Sequence, residues 1–117
     1  MKKIFYLEGK DKRTSITIEM ADTFLSRFCG LMGRKRLPEG QGLLLAPCSS
    51  VHMCFMRFAI DVVYLDKEFR IIKIVRKLRP WIGLSLCYGA WGVVELAAGE
   101  AERMGIEQGQ SLTEGAD

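Results

Sequence analysis

The sequence predicts a β-rich α+β fold: a compact, mostly antiparallel, barrel-like or sandwich-like single domain with two short helices. A chain of 117 residues has room for one hydrophobic core, so residues 1–117 are expected to form one domain. Several short segments alternate apolar and polar residues or are rich in β-branched residues, as strands are. Helices are predicted at Asp22–Gly33 and Gly99–Met104 from their spacing or composition.

The N-terminal part of the chain is predicted to contain two strands, a helix and a third strand. Ile4–Leu7 and Ser15–Met20 are separated by a polar turn, and apolar residues alternate in the second of them. Asp22 can begin the helix, because its carboxylate accepts free backbone N–H groups, and Gly33 can end it. The short apolar strand "LLLA" follows at residues 43–46.

The C-terminal part is predicted to consist mainly of strands. Ile60–Leu65 is apolar on both faces and β-branched, so it is expected to be a central strand. Residues 70–78, "RIIKIVRKL", fit a helical stripe as well, but their β-branched content and the preceding turn favour the second strand of a hairpin. Residues 79–90, "RPWIGLSLCYGA", are expected to be an irregular connection before a strand at residues 91–97. A last short strand is expected after Gly109.

The composition, 49% apolar and 26% charged, is that of an ordinary globular protein. No apolar run approaches the roughly 18 residues of a membrane span. The net charge is +3, with bases too dispersed to predict nucleic-acid binding. The apolar run Ile4–Leu7 is too short for an export leader, so a cytoplasmic location with reduced thiols is expected unless an upstream leader has been removed. No nucleotide-binding motif is present, and no cofactor is predicted.

The segment "SVHMCFMRFAIDVVYLD", residues 50–66, contains the only histidine of the chain and is the best place for a site. If its first half is extended, His52, Cys54 and Met56 lie on one face, because side chains alternate along a strand. Imidazole, thiolate and thioether form a soft ligand set that suits Cu(I). The competing interpretation is that Cys54 and Met56 belong to the core, since the set lacks the spacing that is typical of metal sites.

Three ordered blocks of the sequence are similar to the DUF192 family of small bacterial and archaeal proteins. These blocks are "GLMGR" with "LPEGQGLLL", then "VHMCFMRFAIDVVYLD", and then "VVELAAGEAERMGIEQGQ". The resemblance runs from about Ile16 to Leu112, and the chain departs from the family pattern at Met53, Ala59 and Gln110. It implies a compact β-rich barrel with short helices. Because no reaction or ligand is settled for the family, the resemblance implies a fold rather than a function.

The resemblance carries over Arg57 and Asp61, because the family motif has Arg and Asp at these positions. A buried charge needs a partner. One interpretation is therefore structural: the two residues form an ion pair, or Asp61 accepts N–H groups of a loop. The other is that His52, Arg57 and Asp61 form the polar floor of a pocket for a small polar or anionic ligand. Trp81 would then line the pocket mouth, although it can equally cap the core.

Catalysis by a nucleophile requires a thiol or hydroxyl beside a base, and His52 with Cys48 or Cys54 is one candidate pair. Residues 83–87, "GLSLC", lack the last glycine of a nucleophile elbow. No catalytic residue is predicted. The sequence thus favours a non-catalytic binding module for a small polar ligand or a partner protein. A small hydrolase that uses His52, a soft-metal protein and a purely structural interaction domain with an exposed apolar patch remain open.

Overall fold

Strands account for most of the structure, a computed structural model that describes residues 2–8, 13–21, 37–53 and 56–115. The strands are β1 Lys2–Glu8, β2 Arg13–Ala21, β3 Gln41–Leu45, β4 Ser50–His52, β5 Ile60–Leu65, β6 Ile71–Leu78, β7 Leu84–Leu86, β8 Gly92–Ala97 and β9 Leu112–Glu114. Within these ranges there is one helix, α1, at Glu100–Arg103.

Seven of the strands form one curled, half-barrel sheet in the order β6-β5-β8-β3-β2-β1-β9. All neighbours are antiparallel except β2 and β3, which are parallel. At one end the two edges of the sheet meet, because Arg70 forms a β-bridge with Ser111 and the Leu112 N–H donates to the Phe69 carbonyl at 3.0 Å. The prediction of a compact, β-rich and mostly antiparallel single domain is confirmed.

The central strand β5 is buried along its whole length, as its β-branched and apolar residues predict. Val63 and Leu65 belong to a core cluster on one face of the sheet, whereas Val62 and Tyr64 belong to a second cluster on the other face. This alternation follows from the period of two in a strand. Both faces of the sheet are therefore covered near β5, and the second face is where the remaining two strands lie.

Strands β4 and β7 pair with each other in a separate two-stranded antiparallel sheet, hereafter the β4–β7 ribbon. The expectation that residues 79–90 are irregular is wrong at Leu84–Leu86. Leu84–Leu86 is a run of three residues flanked by Gly83 and Gly89, which is too short for a clear strand pattern. The segment is a strand because β4 pairs with it. The ambiguous segment at residues 70–78 is a strand, β6, paired with β5 as predicted.

Of the two predicted helices, the second is present as α1. The first, at Asp22–Gly33, falls outside the residues that the structure describes. In the described part of the chain, no helix has the length and apolar character that crossing a membrane requires.

Candidate functional site

Asp61 is fully buried in β5, and both oxygens of its carboxylate accept backbone hydrogen bonds. Oδ1 accepts the Lys77 N–H at 2.9 Å. Oδ2 accepts the N–H groups of Gly99 at 3.0 Å and Ala101 at 2.8 Å. Lys77 has a φ of 55° where the register of β5 and β6 shifts, so Asp61 holds a β-bulge on one side. On the other side it holds the beginning of α1. This geometry matches the interpretation in which Asp61 accepts N–H groups of loops.

His52 and Arg57 are exposed, whereas Asp61 lies in the interior. No ion pair joins Arg57 to Asp61 in the described part of the chain. Trp81 is 56% exposed and lies on the surface beside the β4–β7 ribbon. His52 and Trp81 are thus both exposed, whereas Asp61 is not. The four-residue ligand site remains a prediction.

The strand that contains His52 ends at His52, and the chain then turns. The Met56 N–H donates to the Met53 carbonyl at 3.0 Å, and both methionine side chains are buried. His52 is exposed, so the expected alternation that places His52 and Met56 on one face does not continue past β4. Cys54, the third member of the predicted copper set, lies outside the described residues. Among the described residues no group of three or more His, Cys, Asp or Glu side chains is placed to hold a metal ion.

Catalysis by His52 requires a nucleophile within hydrogen-bonding distance of its imidazole. No side-chain hydrogen bond joins His52 to a cysteine or serine within the ranges that the structure describes. The Cys48 thiol donates to the Ser50 carbonyl at 3.1 Å, and the Cys87 thiol lies 3.8 Å from the Tyr88 carbonyl. The geometry of the described residues therefore offers no nucleophile–base pair at His52.

Among the described residues, most of the exposed large apolar side chains lie on β7 and in the turns on either side of it. Ile82, Leu84, Leu86 and Tyr88 alternate along the chain and are 76%, 69%, 53% and 96% exposed. Trp81 adjoins them at one end. These five residues are called the apolar face below. Groups of this kind mark interaction sites on proteins that do not span membranes, whereas scattered apolar residues do not.

On the inward face, β7 and the residue before it, Gly83, carry small side chains or none. A Cβ on Gly83 would lie 2.5 Å from the Arg79 carbonyl oxygen and 2.8 Å from the Met53 Cγ. The Tyr64 hydroxyl donates to Ser85 Oγ at 3.0 Å, and burial raises the pKa of Tyr64 above its usual value. Because small residues occupy the space between β7 and the sheet, the large apolar residues of β7 face outward.

Hydrogen bonds hold the ribbon in place on both sides of the apolar face. The Met53 N–H donates to the Gly83 carbonyl at 2.9 Å, and the Trp81 N–H donates to the Met53 carbonyl at 2.8 Å. The Lys73 Nζ donates to the Leu86 carbonyl at 2.8 Å. Trp81 has a φ of 68°, a conformation that a bulky residue adopts only where its surroundings impose it. The apolar face is therefore preorganised, which lowers the entropy lost on binding.

His52 and Ser50 lie on the outward side of the ribbon, opposite Leu84 and Leu86 respectively. A surface depression of about 290 Å³ adjoins Ser50 and is lined by Ser49, Ser50, Leu86, Cys87 and Tyr88. The enclosed space inside the half-barrel is only about 10 Å³, close to one water molecule, and is apolar. Hence the ribbon surface offers more room for a ligand or a partner side chain than the barrel interior does.

Reasoning from the sequence missed Ile82, Leu84, Leu86 and Tyr88 as functional residues. The signal was present as large apolar residues at every second position, with Gly, Ser and Cys between them. The same period of two predicted β2. Pro80, Gly83 and Gly89 obscured it here, because these residues are typical of loops.

Comparison with known proteins gives one family. Residues 6–113 match the DUF192 family model, whose description is uncharacterized ACR. A UPF0127 protein of Pyrococcus furiosus is 34% identical over 108 residues, which are 88% of this chain and 90% of that protein. A UPF0127 protein of Thermococcus kodakarensis is 29% identical over 110 residues, 91% of this chain and 69% of that protein.

Two crystal structures have the same fold. One, described as a "putative transcription regulator" from Sinorhizobium meliloti, has a TM-score of 0.89 and 21% identity, over 97% of this chain and 94% of that one. The other is a protein of unknown function from Novosphingobium aromaticivorans with a TM-score of 0.83 and 23% identity, over 93% of this chain and 82% of that one. At these identities the likeness concerns the fold alone.

Proposed function

The chain belongs to the DUF192 family, and we propose that it is a non-catalytic binding module whose apolar face holds an apolar segment of a partner protein. The observation that carries the proposal is the alternation along β7, which directs large apolar side chains outward on a ribbon that hydrogen bonds hold in place. A strand that only covered the core would direct these side chains inward.

The size of the apolar face supports a protein partner. The exposed parts of its five side chains add up to about 700 Å², taking roughly 200 Å² for a large side chain. A standard protein interface buries roughly 800 Å² on each partner. The exposed apolar patches of typical monomers are about 300–600 Å². The apolar face is therefore large enough to form most of one side of a stable interface.

The residue types of the apolar face also fit a protein interface. Trp and Tyr are enriched among the residues that contribute most to binding, and here Trp81 and Tyr88 lie at opposite ends of the exposed strip. Of the residues predicted from the sequence, Trp81 belongs to the face, His52 lies opposite Leu84 beside it, and Arg57 is exposed. We assign Asp61 a structural role, because both of its carboxylate oxygens accept backbone N–H groups.

A random dodecapeptide library selected on the immobilised protein tests the proposal. The selection is repeated on the double variant Leu84→Ser/Leu86→Ser and on a control variant, Ile4→Ser, which alters an exposed apolar residue of β1 that is 44% exposed. We expect peptides that bind the wild type and Ile4→Ser equally and bind the double variant at least about tenfold more weakly, a loss of about 1.4 kcal/mol. Urea unfolding checks that both variants are folded.

Two results would contradict the proposal. One is a selection in which no peptide distinguishes the wild type from the double variant. The other is sedimentation equilibrium that shows a wild-type dimer and a monomeric double variant, because the occupant of the apolar face would then be a second copy of this chain.

A further inference from the structure

We infer that the segment held by the apolar face is acidic, with Asp or Glu side chains next to its apolar residues. This inference rests on the proposed function and adds the chemical class of the partner. It follows from the cations around the β4–β7 ribbon and from the absence of Asp and Glu in residues 41–59 and 70–93, the segments that form and flank the ribbon.

The chain around β7 is basic and contains no acid. Between Phe69 and Val94 there are five Lys or Arg residues and no Asp or Glu. Between Gly40 and Ile60, the segment that includes β4, there is one Arg and again no Asp or Glu. The nearest acids in sequence, Asp61 and Glu95, are both buried, and Asp61 accepts three backbone N–H groups. The ribbon therefore lies in a positive field that its own segments do not neutralise.

Lys73 is the cation whose position beside the apolar face is best defined. Its Nζ is 2.8 Å from the Leu86 carbonyl oxygen, so the ammonium group lies at the edge of β7. The Lys73 side chain is exposed and its acceptor is a neutral carbonyl. An ammonium group has three donors, so Lys73 can still donate to a carboxylate of a bound segment.

Arg79 and Arg57 are exposed near the Trp81 end of the face. The Arg79 carbonyl accepts the Gly83 N–H at 3.0 Å in the turn that contains Trp81. Arg57 follows Met56, whose N–H donates to the same residue, Met53, that accepts the Trp81 N–H. Neither arginine forms an ion pair within the ranges that the structure describes. A guanidinium group is suited to paired hydrogen bonds with a carboxylate.

Several cations away from the ribbon form ion pairs, unlike Lys73, Arg57 and Arg79 within the described ranges. Lys3 pairs with Glu114, Arg13 pairs with Glu8, and Arg103 pairs with Glu100, all on β1, β2, β9 or α1. The described cations away from the ribbon thus include several with a carboxylate partner in the same chain. Among the described residues, no carboxylate pairs with Lys73, Arg57 or Arg79, as expected if the partner supplies the carboxylates.

A shaped protein segment fits this surface better than a lipid bilayer does. The depression of about 290 Å³ beside Ser50, Leu86 and Tyr88 has the size to receive a side chain. Ser50 and His52 add polar groups within the outward side of the ribbon, where a peptide backbone has donors and acceptors to match. The hydrocarbon interior of a bilayer has none.

The composition of the selected peptides is the first test. In the peptides that require Leu84 and Leu86 for binding, we expect more Asp and Glu residues than Lys and Arg residues. For the most enriched peptide, replacing each Asp and Glu by Asn and Gln should weaken binding at least about tenfold at low ionic strength. The difference should shrink at about 0.5 M salt, because salt screens exposed charges.

Variants of the protein identify the cations that bind the carboxylates of the peptide. We expect the double variant Lys73→Gln/Arg79→Gln to bind the acidic peptide at least about fivefold more weakly than the wild type does. Its affinity for the amide version of the peptide should be unchanged. The control Lys2→Gln removes an exposed cation of β1 and should change neither. If acidic and amide peptides bind equally well and both depend on Leu84 and Leu86, the inference is wrong and the proposed function stands. If no peptide depends on these leucines, the proposed function itself is wrong.

Vesicles are the second probe. Cosedimentation with phosphatidylglycerol vesicles should show no binding that Leu84→Ser/Leu86→Ser removes. Vesicle binding that depends on these leucines would overturn the inference, because the anionic partner would then be a membrane surface rather than a protein segment.

Discussion

In the seven-stranded sheet every residue of β5 is buried, whereas in the β4–β7 ribbon two of the three residues of β7 are exposed leucines. Both strands are short and mostly apolar, although β5 is rich in β-branched residues and β7 contains none. They differ in what covers them. Both faces of β5 pack against core clusters, while β7 has the sheet beneath one face and no described residue above Leu84 and Leu86.

This difference separates the stability of the protein from its proposed function. Apolar side chains of the seven-stranded sheet are removed from water on folding and therefore stabilise the fold. Leu84 and Leu86 stay largely in water in the described structure, and they stabilise a complex only when a partner covers them. Substitutions in the two regions should therefore change different measured quantities.

The largest effect on stability is expected for Asp61→Ala. Three backbone N–H groups lose their acceptor, and each unsatisfied buried group costs about 1–3 kcal/mol, so we expect a loss of about 4 kcal/mol in the free energy of unfolding. Urea denaturation measures it. The matched control is Asp66→Ala, whose carboxylate accepts two N–H groups in an exposed turn and which should cost about 1 kcal/mol. Equal losses for the two variants would show that burial does not determine how much these hydrogen bonds contribute to the free energy of unfolding.

Leu44→Ala and Leu84→Ala compare the two regions directly. Leu44 is 2% exposed in β3, so its truncation leaves a cavity and should cost about 3 kcal/mol. Leu84 is 69% exposed, so its truncation should change the free energy of unfolding by less than about 0.5 kcal/mol. Thermal and urea unfolding of both variants check this. A loss above about 2 kcal/mol for Leu84→Ala would mean that Leu84 is a core residue.

Gly83→Ala tests the fit between the ribbon and the sheet. The added methyl group would overlap the Arg79 carbonyl oxygen at 2.5 Å and the Leu78 Cγ at 2.8 Å. We expect a loss of about 2 kcal/mol from overpacking, together with weaker peptide binding because the apolar face is displaced. Urea unfolding and the affinity for a selected peptide measure the two effects. Unchanged values of both would show that the ribbon is not held closely against the sheet.

The smallest effect is expected for Glu100→Gln and depends on pH. Glu100 is buried, accepts the Gly40 N–H at 2.6 Å, and pairs with Arg103, which holds the pKa of its carboxyl below the usual value of 4.5. Its contribution to stability is therefore present above pH 4.5 and is lost as the pH falls through the lowered pKa. We expect Glu100→Gln to cost about 1 kcal/mol at neutral pH. In urea unfolding as a function of pH, this difference should disappear in acid; a constant difference would exclude the ion pair as its cause.

Patterns that depend on local chemistry were predicted well from the sequence. The period of two in β2, the β-branched run of β5 and the hairpin between β5 and β6 are present as expected. Local backbone preference and the burial of a strand on two faces act in the same direction there. The three-residue strand β7 has little preference of its own, and it becomes a strand through hydrogen bonds to β4, which lies more than thirty residues earlier in the chain.

Residue patterns within single segments were enough to identify the family and the β-rich architecture. Packing between segments decided which side chains face outward. Asp61 is inside because the bulge of β6 and the start of α1 supply N–H groups at its carboxylate. Leu84 and Leu86 are outside because Gly83 and Ser85 allow the ribbon to lie close to the sheet. Both placements depend on contacts between segments that are distant in the chain, and such contacts leave no local pattern from which to predict them.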